Sequence, residues 1–361
     1  MENLKKQDNS INILKCFGIL TVVFGHIGFS VSGHGNRLHT MVYFYHMPLF
    51  FFISGYLYKS YSIKTTIVKN IKSLYIPFIL WSFIFICMRN IFLNFGFYSS
   101  DNMQNLNQLI SKQTFINVFT FKYNEPLLGA IWFIPCLFFV RIIYCFIDKL
   151  IDNIKFISDS KEMLMPFIIV ILFIYGLNRG INGEFLNYQL DVVFVAMLFY
   201  YIGIKYKELK DSIPIKLTIA IPLLLIMWQN VRFGFIDMNN RSYINAAFFL
   251  FNALSGIYIN LSFIKVINWI RNEKIKKITY IIGQSTFWIL VLHFTVFKII
   301  TLIKINIESL SLDRLQYIFP GDVIGLSWIW ILIYLIAGTI IPVIINYCFS
   351  LIKRKFLKIA L

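Results

Sequence analysis

The sequence predicts an all-α integral membrane protein of about ten transmembrane helices with both termini on the cytoplasmic side. Three observations carry that prediction. The 361 residues are 58% hydrophobic and only 14% charged, with a mean hydropathy of +0.71, whereas soluble domains average about 45–50% apolar and 25% charged residues. A water-soluble enzyme is excluded. Ten stretches are long and apolar enough to cross about 30 Å of hydrocarbon at about 1.5 Å per residue. Lysine and arginine, finally, are shared unevenly between alternate loops.

The apolar stretches fall near 12–30, 41–58, 74–95, 127–147, 165–177, 188–204, 215–232, 243–264, 280–303 and 325–351. The first follows Lys5 and Lys6, but it is too long for the apolar region of a signal peptide, lacks a small-residue cleavage site and leads into further spans. It stays in the protein as the first helix. The fifth is short and reads as tilted or partly re-entrant, and the tenth is long and carries Pro342, where a helix kinks. Nine or eleven spans fit the same pattern. The longest connection, about 96–126, is polar and rich in Asn and Gln. With no internal repeat and no soluble catalytic domain at either end, 1–361 reads as one transmembrane domain.

With the N-terminus inside, cytoplasmic loops hold 22 Lys and Arg residues and outer loops hold 8. Cations concentrate on the cytoplasmic side of membrane proteins, so both termini lie in the cytoplasm and the number of spans is even. A multi-pass protein of the cell membrane is expected, and the net charge of +17 is explained without nucleic acid. Cys16, Cys87, Cys136, Cys145 and Cys348 lie in apolar runs with no metal-ligand spacing and read as small core hydrophobes. No metal site is expected.

Inside a bilayer the polar residues are informative, because each ionisable group there costs about 2–3 kcal/mol or more unless it faces a cavity or a partner. Lys15, His26, His46, Arg89, Arg141, His293 and Lys298 lie in spans, with Asp191 near an outer end. Lys298 reads as a snorkelling side chain. Counting from the span starts puts His26, His293 and Arg89 about 20–22 Å from the cytoplasmic edge and His46 about 8 Å below the outer one, so all four share the outer half. Hydrogen-bonded core histidines between packed helices are the structural alternative. Lys15 and His26 are eleven residues apart, or about 20° beyond three full turns, and so share one helix face about 16 Å apart. That separation matches an extended pantetheine arm: coenzyme A with its phosphates in the cytoplasm would present its thioester near His26.

The run Ile13-Leu14-Lys15-Cys16-Phe17-Gly18-Ile19-Leu20, then Val23-Phe24-Gly25-His26, then Tyr45-His46-Met47-Pro48-Leu49-Phe50-Phe51-Phe52-Ile53-Ser54-Gly55-Tyr56-Leu57, resembles membrane acyltransferase family 3 and within it the fucose 4-O-acetylase-like, polysaccharide O-acetyltransferase branch. The resemblance continues through Lys72 to Pro77, Ile131-Trp132-Phe133-Ile134, Gly203, and Ile282-Gly283-Gln284-Ser285 with His293, and so covers essentially the whole chain. It implies a ten-helix enzyme that takes an acyl group, usually acetyl, from cytoplasmic acyl-CoA and delivers it to a hydroxyl of a cell-surface or lipid-linked glycan. The family motif is a basic residue, most often Arg, followed after ten residues by His; here the pair is Lys15 and His26. Lysine keeps the charge but lacks the bidentate fork of arginine. Asn12 stands where many relatives carry Asp.

O-acetyl transfer needs a base or a nucleophile, together with a donor for the oxyanion. His26 is the expected catalytic residue, and His46 its partner or the acceptor-side base. Arg89, Trp132, Asp191 and His293 are candidates for oxyanion or acceptor contacts, with packing the alternative for Trp132 and a solvated helix end that for Asp191. Lys15, Lys69, Lys72 and Arg141 are the candidate acyl-CoA ligands, since the coenzyme phosphates require cations. His34 and His39 read as solvated loop residues. Acetyl-CoA is expected as a co-substrate, with no bound cofactor; the other partners are the glycan acceptor and membrane lipids, and an oligomer is compatible. The competing class is a glycan or lipid transporter or export subunit with the histidines as a proton relay. A structural subunit of a polysaccharide synthase is a third reading. Against the transporter, no pair of matching broken helices occurs in two halves of the chain, and acidic residues are nearly absent from the spans.

Overall fold

A backbone in hydrocarbon must satisfy its own N–H and C=O groups, so apolar stretches of this length fold as helices. The computed structural model describes residues 2–28, 34–98, 112–154, 160–270, 272–322 and 326–359, with side chains described except at 2–9, 34–35 and 354–359. Lys155 and Arg271 of the charge count, the side chains of Lys5, Lys6 and His34, and residues 99–111 of the Asn/Gln-rich connection lie outside this set. Among the described residues the elements are helical: α1 (Glu2–Gly25), α2 (His34–Tyr43), α3 (His46–Tyr56), α4 (Ile63–Asn70), α5 (Ile76–Asn94), α6 (Lys112–Phe119), α7 (Phe133–Asn153), α8 (Lys161–Ile181), α9 (Leu190–Leu209), α10 (Leu217–Asn230), α11 (Ala246–Trp269), α12 (Glu273–Gln284), α13 (Thr286–Glu308) and α14 (Trp328–Ile359). A π-helical turn, Ile71–Tyr75, joins α4 to α5, and a 3-10 turn, Pro126–Trp132, leads into α7.

Seven of these helical stretches are long and apolar enough to cross a membrane: Ile63–Asn94, Pro126–Asn153, Lys161–Ile181, Asn187–Leu209, Ala246–Trp269, Thr286–Glu308 and Trp328–Lys353. Two further apolar helices are shorter, Ser10–Gly25 and Leu217–Phe233. The protein is thus an all-helical, multi-pass membrane protein. The stretch expected to be short, 165–177, is a full helix of 21 residues that runs on through Pro166. The expected second span, in contrast, is broken. A turn at Phe44 and Tyr45 separates α2 from α3, which has only 11 residues, about 16 Å of rise. Pro48 explains the break: in one continuous helix its ring would collide with the carbonyl of Phe44 four residues earlier, whereas within the first turn of a new helix it is tolerated.

Helix α1 is the hub, touching α2, α3, α11, α12, α13 and α14. Small residues permit the closest crossings, as expected where packing rather than apolar burial drives helix association. A Cβ added to Gly55 of α3 would fall 1.8 Å from the carbonyl oxygen of Tyr200, and one on Gly203 of α9 would fall 2.0 Å from that of Phe52. The backbones of α3 and α9 therefore touch from both sides. Apolar side chains such as Leu80, Ile84 and Ile91 of α5 and Phe167, Ile171 and Ile174 of α8 remain exposed at helical spacing, which suits a lipid-facing surface. Cys16, Cys136 and Cys145 are buried, as core residues should be, while Cys87 and Cys348 are exposed; all five are free thiols.

Candidate functional site

The site begins with the way α1 ends. The helix was expected to run to residue 30, but it stops at Gly25, and Gly28 turns the chain with φ of 113°, a left-handed conformation in which glycine is favoured. Its terminal carbonyls lack helical partners and are taken up from outside. His39 Nε2 lies 2.7 Å from the Gly25 oxygen, and the Gly321 N–H donates to the Ile27 oxygen at 2.6 Å. His26 is held between these two contacts, in the turn immediately after α1. His39 is therefore no solvated loop residue: it is 1% exposed, and its ring caps the helix that carries His26.

His26 Nδ1 lies 2.9 Å from His293 Nε2, with the two rings 12° from parallel. His293 Nδ1 lies 2.8 Å from the carbonyl oxygen of Ile289, one turn earlier in α13. A carbonyl only accepts, so the hydrogen-bond network assigns the proton of neutral His293 to Nδ1 and leaves Nε2 as an acceptor. His26 must then donate from Nδ1, and its Nε2 carries a lone pair. The same reasoning applies to His46, whose Nδ1 lies 2.9 Å from the Val42 oxygen, so that in the neutral ring Nε2 is again the basic atom. His293 is fully buried and His46 is 4% exposed.

Four cavities line up through this region. The central one, of about 340 Å³, is bounded by His26, Tyr43, His46, Trp132, Asp237 and Phe319 among others. A second, of about 420 Å³, continues from it across Asn124, Gly129, Trp132 and Asn239, and its own walls include Lys122, Tyr123, Asn187, Tyr188 and Gln189. On the opposite side a third, of about 330 Å³, shares Val22, Met47 and Leu290 with the central cavity and holds Lys15, Ser73 and Arg141. A fourth, of about 130 Å³, joins the third at Ser54, Leu57 and Arg141 and is lined by Lys59, Tyr61 and Lys69. Cations thus stand at one end, two histidines in the middle, and amides with aromatic rings at the other end.

Arg141 is held by neutral groups. Its Nε and Nη2 donate to Ser54 Oγ at 3.1 and 3.0 Å, and its Nη1 to Asn70 Oδ1 at 3.4 Å. Among the described residues it forms no ion pair, so its charge is left for an incoming anion. Lys69 sits with Nζ 3.3 Å from the centroid of the Tyr61 ring. Lys72, on the π-helical turn, is exposed and lines none of the four cavities.

Three further expectations are redirected. Asp191 is 1% exposed and pairs with Arg241 Nε at 2.8 Å while accepting from the Leu186 N–H at 3.2 Å. It is not a solvated helix end, and it lines none of the four cavities. Its pairing instead fixes the 237–242 turn, where Arg241 Nη1 donates to the Asn239 oxygen at 2.7 Å and so holds one wall of the outer cavities. Arg89 is 9% exposed and lines none of the four cavities. It stands near Glu125, which accepts from Tyr98 at 2.7 Å and Tyr123 at 3.0 Å. Burial raises the Glu125 pKa above the usual carboxylate range, and the two hydroxyls counter it. Lys298 does not snorkel to a water interface. It is 1% exposed and donates to the carbonyls of Leu315 at 2.5 Å and Tyr317 at 2.7 Å, tying down the segment that brings Ile318 and Phe319 to the histidine cavity.

Sequence reasoning missed the caps supplied by His39 and Lys298 and the role of Ser54 as the seat of Arg141. For His39 a signal existed: His39, Tyr43 and His46 recur at a helical spacing of four and three, and their rings meet in series, with centroids 4.8 and 4.7 Å apart. Among the described residues no three His, Cys, Asp or Glu side chains come together to hold a metal ion.

A family model described as an acyltransferase domain matches residues 8–347, nearly the whole chain. Comparisons with curated proteins and with solved structures find no match.

Proposed function

The chain belongs to membrane acyltransferase family 3, and from that premise we propose that it is an O-acetyltransferase, taking acetyl from coenzyme A that enters at the Lys69 end and passing it to a glycan hydroxyl at the Trp132 end. The observation that carries this reading is the succession of adjoining cavities from Lys69 and Arg141 to His26 and His46. Lys15, Lys69 and Arg141 supply the cations that the anionic coenzyme requires, and the apolar third cavity accepts the pantetheine arm. The thioester carbonyl then lies beside His26.

In the transfer step the acceptor hydroxyl gives its proton to His26 Nε2 while its oxygen attacks the thioester carbon. Collapse of the tetrahedral intermediate breaks the carbon–sulfur bond. The departing coenzyme A thiolate takes the proton from His26, leaving an acetyl ester and a free thiol, so atoms and charge balance. His293 is a positioning residue: by accepting a hydrogen bond from the His26 Nδ1–H it keeps the lone pair on the atom facing the cavity. His46 Nε2 is the second acceptor on that wall and orients the hydroxyl. Trp132, Tyr123 and Tyr188 offer ring faces, and Asn124, Asn187, Gln189 and Asn239 offer paired donors and acceptors, a lining suited to a polyhydroxylated, half-apolar ligand such as a sugar.

The test is transfer itself. Purified protein in detergent should bind radiolabelled acetyl-CoA, and membranes containing it should move the label into glycan. A transporter or a structural subunit would do neither.

A further inference from the structure

Three side chains, Val22 of α1, Met47 of α3 and Leu290 of α13, line both the cavity that holds Lys15 and Arg141 and the cavity that holds His26. They are 1%, 7% and 8% exposed. Whatever passes from one cavity to the other passes between them. Around this collar the walls stay apolar, with Ile19 and Phe50 on one side and Ala130 and Phe294 on the other.

The distribution of charge across the collar is one-sided. Lys15 and Arg141 line only the cavity before it, and among the described residues no Lys or Arg lines the cavity beyond. The titratable groups that face the central cavity are His26, His46, Tyr43 and Asp237. Both neutral histidines have Nδ1 engaged, with His293 and with the Val42 carbonyl, so each presents a lone pair rather than an N–H to the cavity. Asp237 adds a carboxylate, already supplied with donors by the N–H groups of Asn239 at 2.8 Å and Asn240 at 3.2 Å. An anion brought here would lose its hydration and gain no cation, meeting the two histidine lone pairs and the Asp237 carboxylate with only neutral donors such as Asn124 and Asn239 to offset them.

We propose that Val22, Met47 and Leu290 form a selectivity collar that admits a short neutral acyl group to His26 and rejects acyl groups carrying a carboxylate. This rests on the reading of the protein as an acyltransferase whose thioester meets His26. It names the donor class: acetyl is accepted, succinyl is refused on charge, and longer neutral chains are refused on size. Met47 is the adjustable member, since it is the unbranched, flexible side chain of the three and its truncation opens space without adding polarity.

The experiment supplies membranes containing the full chain with acetyl-, propionyl-, butyryl- and succinyl-CoA, each labelled in the acyl group, and reads label transferred to the glycan of those membranes. Acetyl should transfer fastest, butyryl at least tenfold more slowly, as expected for a pocket that discriminates by methylenes, about 10–200-fold for each, and succinyl at under a hundredth of the acetyl rate. Met47→Ala should raise the butyryl-to-acetyl ratio about tenfold and leave succinyl refused. Val22→Ala is the second variant, with retained acetyl-CoA binding as its check on folding. Succinyl transfer within threefold of acetyl, or an unchanged butyryl-to-acetyl ratio in both folded variants, would overturn the collar while leaving acyl transfer intact. No transfer from any donor would instead overturn the acyltransferase reading, and the collar with it.

Discussion

His26 Nδ1 stands 2.9 Å from His293 Nε2 although the residues are 267 positions apart in the chain. The hydrogen bond joins the end of α1 to the middle of α13, and the Ile289 carbonyl beneath His293 gives it direction. Removing the acceptor frees the His26 ring to rotate or to change tautomer. His293→Ala should therefore lower kcat about 10²-fold while the KM for acetyl-CoA moves less than threefold, because the cations that hold the coenzyme are untouched. A wild-type kcat in the folded variant would show that His293 does not orient the base.

The donor side separates residues that sequence alone groups together. Arg141→Ala and Lys15→Ala should each weaken acetyl-CoA binding by about 1–3 kcal/mol, the range for removing one partner of a charge-assisted hydrogen bond. Lys72→Ala should change it by under about 0.5 kcal/mol, as for an exposed charge. Lys15→Arg keeps the charge, adds the fork and should retain acetyl-CoA binding. Titration calorimetry on the purified variants checks all four. Equal losses at Lys72 and Arg141 would place the coenzyme outside the cavities.

Nine of the ten apolar stretches correspond to apolar helices because hydropathy over some twenty residues is a strong local signal. The second stretch departs because hydropathy does not register where a proline falls: Pro48 divides 41–58 while Pro166 leaves its helix whole. Of the site, counting from the apolar starts puts His26, His46 and His293 in one half of the membrane, although the helix carrying His293 begins at Thr286, after a break at Ser285, and not at 280. Their hydrogen bonds are not visible from such counting, since α1 meets α13 only through tertiary packing. The Asp191–Arg241 pair is hidden for the same reason, its members lying 50 residues apart and on opposite sides of α10. Depth alone suggests a snorkelling Lys298, and depth cannot reveal that a returning loop offers it two carbonyls.

That loop gives a separate prediction. Lys298→Met preserves the length of the side chain but removes both hydrogen bonds to the segment carrying Phe319, whose ring centroid lies 6.1 Å from that of His26. Thermal unfolding should report a loss of about 1–3 kcal/mol, and the apparent KM for the glycan should rise more than that for acetyl-CoA. Unchanged stability would mean that the loop is held by its other contacts, among them the Gly321 N–H on Ile27.

Orientation in the membrane rests on the loop charge count of 22 against 8. A cysteine replacing Lys64 or Lys276 should be shielded from an impermeant thiol reagent in intact cells, and one replacing Asn240 should react. The reverse pattern would invert the protein and place the coenzyme end outside.

The central claim is that His26 is the base for acyl transfer rather than a buried packing residue. A positioned general base contributes about 10²–10⁴-fold, whereas a histidine that serves only as a hydrogen-bond partner costs about 1–3 kcal/mol of stability when removed and is partly replaced by glutamine. The decisive measurement is glycan acetylation by His26→Gln, run beside thermal unfolding and acetyl-CoA binding on the same preparation. The prediction is acetylation reduced at least 10²-fold in a folded protein that still binds acetyl-CoA; near-normal acetylation by that folded variant would contradict it.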